Sequence, residues 1–502
     1  MELGELVRAS GVAAELRGDG AVEISGLAHD SRAVEAGTLY FCVRGLTADG
    51  HEFAPAAVDT GAAGLVVERP LDLGVAEVQV DDARAAMPPI AAAFYRDPTA
   101  ELTVAGVTGT NGKTTTAFLI RHLLEAAGRR CGLLGTVQRV VGGEVEGVER
   151  TTPEAIELQS TFARMLAADD EACVMEVSSH ALALHRADAI NFDVKVFTNL
   201  TQDHLDFHAD MEDYFAAKRL LFMAEGGAPS LVLGGGVSVI NADDPYGRRL
   251  ADELIGADEA DACLTFSAAG GKADFSAREA SFDASGSTFS CQTPEGTLAV
   301  RTSLPGDFNV ANAIAALAAA HALGLNLREC AAALSSAAQV PGRFEPIDEG
   351  QPFGVLVDYA HTPDSLENVL RAARRLTSGR VISVFGCGGD RDREKRPLMG
   401  RAGAELSDLA VVTSDNPRSE DPAAIIEQIL AGIDDREGVV VEQDRRDAIS
   451  LALSRATEGD LVVIAGKGHE QGQEFERGRK VPFDDREVAR EALRELAAGA
   501  AR

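Results

Sequence analysis

Apolar and polar positions divide this chain into three stretches of short apolar runs, each run closing on a glycine-rich or polar loop. In residues 1–98, brief strand patterns at 21–27, 39–43, 63–67 and 78–80 alternate with turns and short helical segments, which predicts a small α/β module. The segment RDPTA at 96–100 marks a boundary. From 99 to 340 apolar strands alternate with helical patterns, as in a doubly wound sheet covered on both faces. Within it, 226–236 (GGAPSLVLGGG) reads as a surface loop, 258–302 as a β-rich insertion of short alternating strands, and the Ala-rich helices after Asn309 close the unit. The third stretch, 341–502, carries apolar strands at 354–358, 380–385, 409–413 and 461–465, each running into a polar or glycine-rich loop. Ligands of open α/β sheets bind beyond the carboxyl ends of the strands, so these loops are expected to form a second site wall. The fold class predicted is α/β in three domains, with a Rossmann-like third unit.

One turn changes this from a fold reading to a chemical one. Residues 106–116 read GVTGTNGKTTT, after a strand pattern at 102–107 and before a helical pattern at 115–127. Glycines at 109 and 112 let backbone N–H groups close on phosphate oxygens at a helix N-terminus, whose partial positive charge favours anions. Lys113 is expected to reach the terminal phosphates and the Thr114 hydroxyl to serve Mg²⁺, with Gly109, Thr110, Asn111, Gly112 and Thr115 completing the cradle. The strict G-x-x-x-x-G-K-S/T spacing is not met, since Val107 stands at its first glycine; the G-T-x-G-K-T variant fits. A nucleoside triphosphate site follows.

Composition narrows the partners. A chain of 502 residues with 45% hydrophobic content can bury several cores. Its net charge of −32 argues against nucleic acid or an anionic membrane surface as a partner, because both call for clustered Lys and Arg. The seven cysteines are scattered without a C-x-x-C pair, which suits reduced thiols. Charges scattered through the first turns predict no signal peptide, and no apolar run reaches the length of a membrane span. A cytoplasmic protein, expected to be a monomer, acting on small molecules is the consistent reading.

Other constellations add weight. The apolar run 172–176 ends in Glu176, placed as a strand-end Mg²⁺ ligand would be, opposite the phosphate loop across the sheet. The loop TQDHLDFH at 201–208 offers His204 among carboxylates, and a helical pattern at 211–223 carries Lys218. In the third unit GCGGDRDREKRP packs Arg391, Arg393, Lys395 and Arg396 into a glycine-hinged loop, a basic island in an acidic chain that suits an anionic ligand. SDNPRSEDP places Arg418 in a proline-stiffened turn, and GKGHE at 466–470 repeats the strand-then-loop arrangement.

In chain order, GTNGKTTT, EVSSHAL, FTNLTQDHLDFH, YFAAKRLLF, LPGDFNVANAIAA, PGRFEPI, VDYAHTP and GKGHE resemble the Mur ligase superfamily over nearly the full length. HDSRAVEAGTLYFCVRG resembles the uridine-nucleotide domain of the members that add the third amino acid, and DNPR their diaminopimelate-adding subtype. The resemblance implies a UDP-binding first domain, a central ATPase domain and an amino-acid-binding third domain. It implies an ATP- and Mg²⁺-dependent amide ligation in peptidoglycan precursor synthesis, in which the D-glutamyl γ-carboxylate of UDP-N-acetylmuramoyl-L-alanyl-D-glutamate is phosphorylated and then attacked by the amine of meso-diaminopimelate. Carried over by position, Thr114, Glu176 and His204 belong to magnesium sites, with Lys218 carbamylated as a further ligand. Asn309, Arg343, Asp358 and His361 fall in nucleotide-binding motifs. Ser31, Thr151, Thr152, Ser178 and Arg186 match contacts to the UDP-sugar peptide. Arg391, Asp415, Asn416, Pro417, Arg418, Gly466 and Glu470 match the amino-acid pocket; there Arg418 is expected to pair with the distal carboxylate, Asn416 and Glu470 with the distal ammonium. Leu184 departs from the pattern, standing where some members place a glutamine. A lysine-adding member and a folylpolyglutamate synthetase are the nearest alternatives; a GTPase switch would need an N-K-x-D-type guanine reader, which the sequence lacks.

Overall fold

The computed structural model describes residues 1–45, 48–148, 150–223, 235–256 and 263–500. Among these, each stretch builds a sheet of its own. In the first unit the order is Glu15–Arg17, Ala76–Gln79, Gly64–Val67, Thr38–Phe41, Gly26–Ala28, parallel except for the first pair. The strand expected over 21–27 shortens to Gly26–Ala28. Residues 22–24 bond instead to the start of the chain, Leu3 N–H to Val22 O and Ile24 N–H to Met1 O, both at 2.9 Å.

The central sheet has eleven strands. Its parallel heart runs Val237–Asn241, Val194–Phe197, Thr103–Thr108, Ala172–Glu176, Cys131–Leu134. These read as unbroken apolar runs because helices cover both faces. Lys113–Ala126 and Asp307–Ala322 pack on one face; Ala155–Ala167 packs on the other. Helix Asp307–Ala322 is apolar nearly all round, and Ala313 through Ala320 are wholly buried. Small side chains there let the helix approach both the sheet and helix Lys113–Ala126. The β-rich segment is no separate insertion: Cys263–Ser267, Phe275–Asp283, Gly286–Thr293 and Gly296–Thr302 extend this sheet, the last three as an antiparallel meander. Apart from its last two residues, the loop expected over 226–236 lies outside the described residues.

In the third unit Gly354–Asp358, Leu461–Ala465, Val381–Phe385, Leu409–Val412 and Val439–Val441 form a parallel sheet, with Glu345–Pro346 antiparallel on its edge. Polar contacts tie this unit to the phosphate loop. Asn111 Nδ2 donates to Asp364 Oδ2 at 2.9 Å, and Arg343 Nη2 to Thr114 Oγ1 at 2.9 Å. Strand ends of the central and third sheets therefore face one another.

Candidate active site

The phosphate loop forms as its residues dictate. Strand Thr103–Thr108 gives way to Gly109 at φ 143° and Gly112 at φ 84°, and a helix starts at Lys113. Both glycines occupy backbone that L side chains rarely adopt, and a Cβ on Gly112 would stand 2.5 Å from Asn312 Oδ1. Lys113 Nζ folds back on its own loop, donating to Gly109 O at 3.0 Å and Thr110 O at 2.8 Å. Burial lowers its pKa, with Glu176 acting in the opposite sense.

Glu176 lies beside the loop rather than across the sheet from it: its strand pairs directly with Thr103–Thr108, in register at Val107. Its carboxylate is buried and accepts three bonds, from Thr136 N–H at 2.7 Å, Thr136 Oγ1 at 3.0 Å and Thr114 Oγ1 at 3.0 Å. His204, at φ 57°, enters the same cleft from the loop after Val194–Phe197, and burial pushes its imidazole down to about 3. A neutral imidazole is the form that ligates a metal. Lys218 is only 1% exposed, and its Nζ donates to Gly109 O at 2.8 Å, the carbonyl that Lys113 also uses. Burial, and then Lys113, depress its pKa well below the ordinary lysine value. No group of three or more His, Cys, Asp or Glu with metal-binding geometry occurs among the described residues. The expected metal set is instead mixed: Thr114 and Glu176 touch, His204 shares their cleft, and Lys218 stands behind the loop.

The nucleotide motifs converge there. Asn309, Arg343, Asp358 and His361 line the cleft of about 250 Å³ that the loop residues 110–115 open onto. Asn309 Nδ2 is held by Pro305 O at 2.8 Å, and the Arg343 guanidinium lies 4.4 Å from the Tyr359 ring centre. Asp358 accepts the Phe344 and Ala360 N–H groups at 2.6 and 2.7 Å; burial pushes its carboxyl up to about 6 despite Arg343. His361 Nδ1 bonds to Tyr359 O at 2.7 Å.

Thr151, Thr152, Ser178 and Arg186 line a wider adjoining cleft of about 1110 Å³. Thr152 Oγ1 donates to Glu176 O at 3.0 Å and accepts the Ser178 N–H at 3.1 Å. Arg186 pairs with Glu154 at 2.9 Å. Ser31 opens a single turn, Ser31–Ala33, in the first unit and is not among the residues lining these clefts. Leu184 closes the short helix Ser179–Ala183, its N–H bonded to His180 O at 2.9 Å.

A third cavity, of about 240 Å³, is lined by Arg391, Asp415, Asn416, Arg418, Gly466 and Glu470, with Asp203, Tyr359 and Lys395. Pro417 lies in the turn between two of its lining residues and is not itself on the wall. Arg418 is held from outside, Nε on Glu474 Oε2 at 3.0 Å and Nη1 on Gly389 O at 2.7 Å. The basic island expected from sequence divides. Arg391 faces the cavity, whereas Arg396 is wholly buried and chelates Glu420 at 2.8 and 3.0 Å. Arg393 pairs with the same Glu420 at 3.1 Å, and Lys395 lies 3.8 Å from Asp203. Asn416 also departs from expectation: its Oδ1 accepts Lys467 Nζ at 2.8 Å and the Glu474 N–H at 2.9 Å, so this oxygen is not free for a substrate ammonium. Sequence reasoning passed over Lys467 and Tyr359 and took Asp203 only as one of the carboxylates around His204, although each sits within a motif it had singled out.

Fold and cleft together define a phosphate-loop protein whose nucleotide site is shared by two α/β units and opens onto two further cavities. Residues 23–102 match the Mur ligase family, catalytic domain; 107–320 the Mur ligase middle domain; and 342–468 the Mur ligase, glutamate ligase domain. A relative from Geobacillus thermodenitrificans, named UDP-N-acetylmuramoyl-L-alanyl-D-glutamate–2,6-diaminopimelate ligase, is 47% identical over 94% of this chain and 95% of its own. One of the same name from Streptomyces coelicolor is 46% identical over 98% and 96%. A solved structure, also a UDP-N-acetylmuramoyl-L-alanyl-D-glutamate–2,6-diaminopimelate ligase, superposes with a TM-score of 0.69 at 32% identity, covering 99% of both chains. The chain belongs to the Mur ligase family. No helix among its described residues is long and apolar enough to cross a membrane.

Proposed function

We propose that this protein is an ATP-dependent ligase that joins meso-diaminopimelate to the D-glutamyl γ-carboxylate of UDP-N-acetylmuramoyl-L-alanyl-D-glutamate. One observation carries the reading: His204 and Tyr359 line all three cavities, so a phosphorylated carboxylate, a nucleotide and an amine can meet around them. A carboxylate is a poor electrophile. An oxygen of the γ-carboxylate attacks the γ-phosphorus of ATP, the bond to ADP breaks, and an acyl phosphate forms. The neutral amine then attacks the acyl carbon; a proton leaves the nitrogen and inorganic phosphate departs.

The residues suit these roles. Lys113 and Arg343 bring positive charge to the phosphate loop, where negative charge crowds during transfer. Thr114, Glu176 and His204 present hydroxyl, carboxylate and neutral imidazole to one cleft, a donor set that fits Mg²⁺ with water completing its shell. The metal, when bound, draws charge from the transferring phosphoryl oxygens. Lys218 supports carbamylation: two amines on one carbonyl cannot both stay protonated cheaply, and the neutral Nζ that burial favours is the nucleophile CO₂ requires. Thr151, Thr152, Ser178 and Arg186 are the residues we assign to the UDP-linked peptide, with Ser31 contributing from the first unit.

Purified protein supplied with ATP and Mg²⁺ should release phosphate only when both the UDP-linked dipeptide and diaminopimelate are present. Release with ATP alone, or with a folate in place of the UDP substrate, would overturn the reading.

A further inference from the structure

Beneath the third cavity lies a buried cation that the reaction does not consume. Lys467 is wholly buried, and its Nζ stands 2.8 Å from Asn416 Oδ1, 2.9 Å from Glu470 Oε2 and 3.9 Å from Asp415 Oδ1. Asn416 Oδ1 also accepts the Glu474 N–H at 2.9 Å. An ammonium and a peptide N–H are both donors only, so the atom they share must be the amide oxygen. That fixes the amide: Nδ2 lies on the other side and donates one hydrogen to Glu470 Oε2 at 2.9 Å. Its second hydrogen is the one a ligand can use.

Glu470 is oriented by the same contacts. Its Oε2 takes two bonds, from Lys467 and from Asn416, while among the described residues Oε1 meets only the Tyr359 hydroxyl, at a loose 3.5 Å. The open carboxylate oxygen in this corner of the cavity is therefore Oε1. The strand end that leads into the lysine is itself braced. Ala465 O accepts Arg445 Nη2 at 2.9 Å, and buried Asp485 grips Arg445 at 2.8 and 2.7 Å. The next residue, Gly466, sits at φ 123°, where a Cβ would stand 2.6 Å from Asp415 Oδ2. Backbone, lysine and acceptors thus form one braced unit.

Building on the functional reading above, we propose that Lys467 is a positioning residue that sets the polarity of the amino-acid pocket. It turns the Asn416 amide so that an N–H faces the substrate, and it holds Glu470 so that Oε1 does. The pocket then reads an end group carrying an ammonium beside a carboxylate: Glu470 Oε1 takes the ammonium, while the Asn416 N–H and Arg418 take the carboxylate. A side chain ending in a lone ammonium leaves two donors without an acceptor.

The test measures kcat and the KM of each of the three substrates in wild type, Lys467→Met, Lys467→Arg, Glu470→Gln and the double variant Lys467→Met/Glu470→Gln. Lys467→Met should raise the KM for diaminopimelate about 10-fold or more and leave that for ATP within about 2-fold, because Asn416 and Glu470 line the amino-acid cavity and the wide cleft beside it but not the nucleotide cleft. Lys467→Arg should recover part of the loss. The double variant should lose less than the product of the two single losses, since part of the lysine's effect runs through that carboxylate. It also removes the charge the carboxylate would leave unpaired, so it supplies the comparison if Lys467→Met does not fold. Effects that multiply in the double variant, an unchanged KM for diaminopimelate, or an equal rise in all three KM values would overturn the proposal alone. A wild type that forms no diaminopimelate amide removes the functional reading, and this proposal with it.

Discussion

Replacing Glu176 by glutamine exchanges one buried oxygen for an NH₂ group at nearly constant volume, which separates the fold from the chemistry. Glutamine Oε1 keeps the Thr136 N–H, now at 2.7 Å from the carboxylate. Its Nε2 would face the Thr114 and Thr136 hydroxyls, both at 3.0 Å, which can rotate from donor to acceptor. Charge-assisted bonds become neutral ones, a cost of about 1–2 kcal/mol, so the variant should fold with a slightly lower Tm. Turnover should suffer far more. The carboxylate is an anionic member of the proposed magnesium set, and losing one such preorganised charge costs about 10²–10³ in kcat, roughly 3–4 kcal/mol. Thermal melts and phosphate release, measured across a magnesium titration, give both quantities on one preparation. Turnover near wild type at saturating ATP and Mg²⁺ would refute the assignment. So would a loss of activity that only follows a loss of folded protein.

Further outcomes follow from the same geometry. Lys113→Ala should abolish ligation yet fold, because among the described residues the buried amine bonds only two carbonyls of its own loop; near-normal activity at saturating ATP would remove the phosphate-loop assignment. Lys218→Ala should be nearly inactive and regain part of its turnover with added short carboxylates, and an unmodified Lys218 in the density of active, CO₂-equilibrated crystals would contradict carbamylation. Bonds from Arg396 are the main cause that holds Glu420 at about 2 instead of its ordinary 4.5. A depressed carboxyl contributes its full stability above its unfolded value and loses it as pH falls through the folded one. Wild type should therefore lose stability between pH 4.5 and about 2 more steeply than Glu420→Gln, and equal slopes in acid unfolding would refute the pairing.

Much of the architecture is legible in the sequence because parallel strands buried on both faces leave unbroken apolar runs. The strands Gly354–Asp358, Val381–Phe385, Leu409–Val412 and Leu461–Ala465 fall where those runs predict, to within a residue. The turn at Gly109–Gly112 was equally plain, since glycines, lysine and threonine all serve one local purpose. Pairing over distance was not. Nothing local distinguishes Arg391, which faces a cavity, from Arg396, buried on a glutamate 24 positions away. Alternation in 263–302 signals strands but not that they extend the central sheet, because periodicity reports faces and not partners. The amide orientation of Asn416 depends on a lysine 51 positions distant and a backbone N–H 58 positions distant, so the role expected for its oxygen had no sequence-level check.

The specificity constant decides the central claim. kcat/KM should be measured for meso-diaminopimelate and for lysine in wild type and in Arg418→Ala. Arg418 has Nε on Glu474 and Nη1 on Gly389 O, which leaves its Nη2 edge for the distal carboxylate that lysine lacks. A site built around such a pair can reject the analogue without it by about 10⁴-fold, so wild type should prefer diaminopimelate by that order and the variant should lose most of the preference. A wild type that favours lysine, or a variant with its preference intact, would contradict the account.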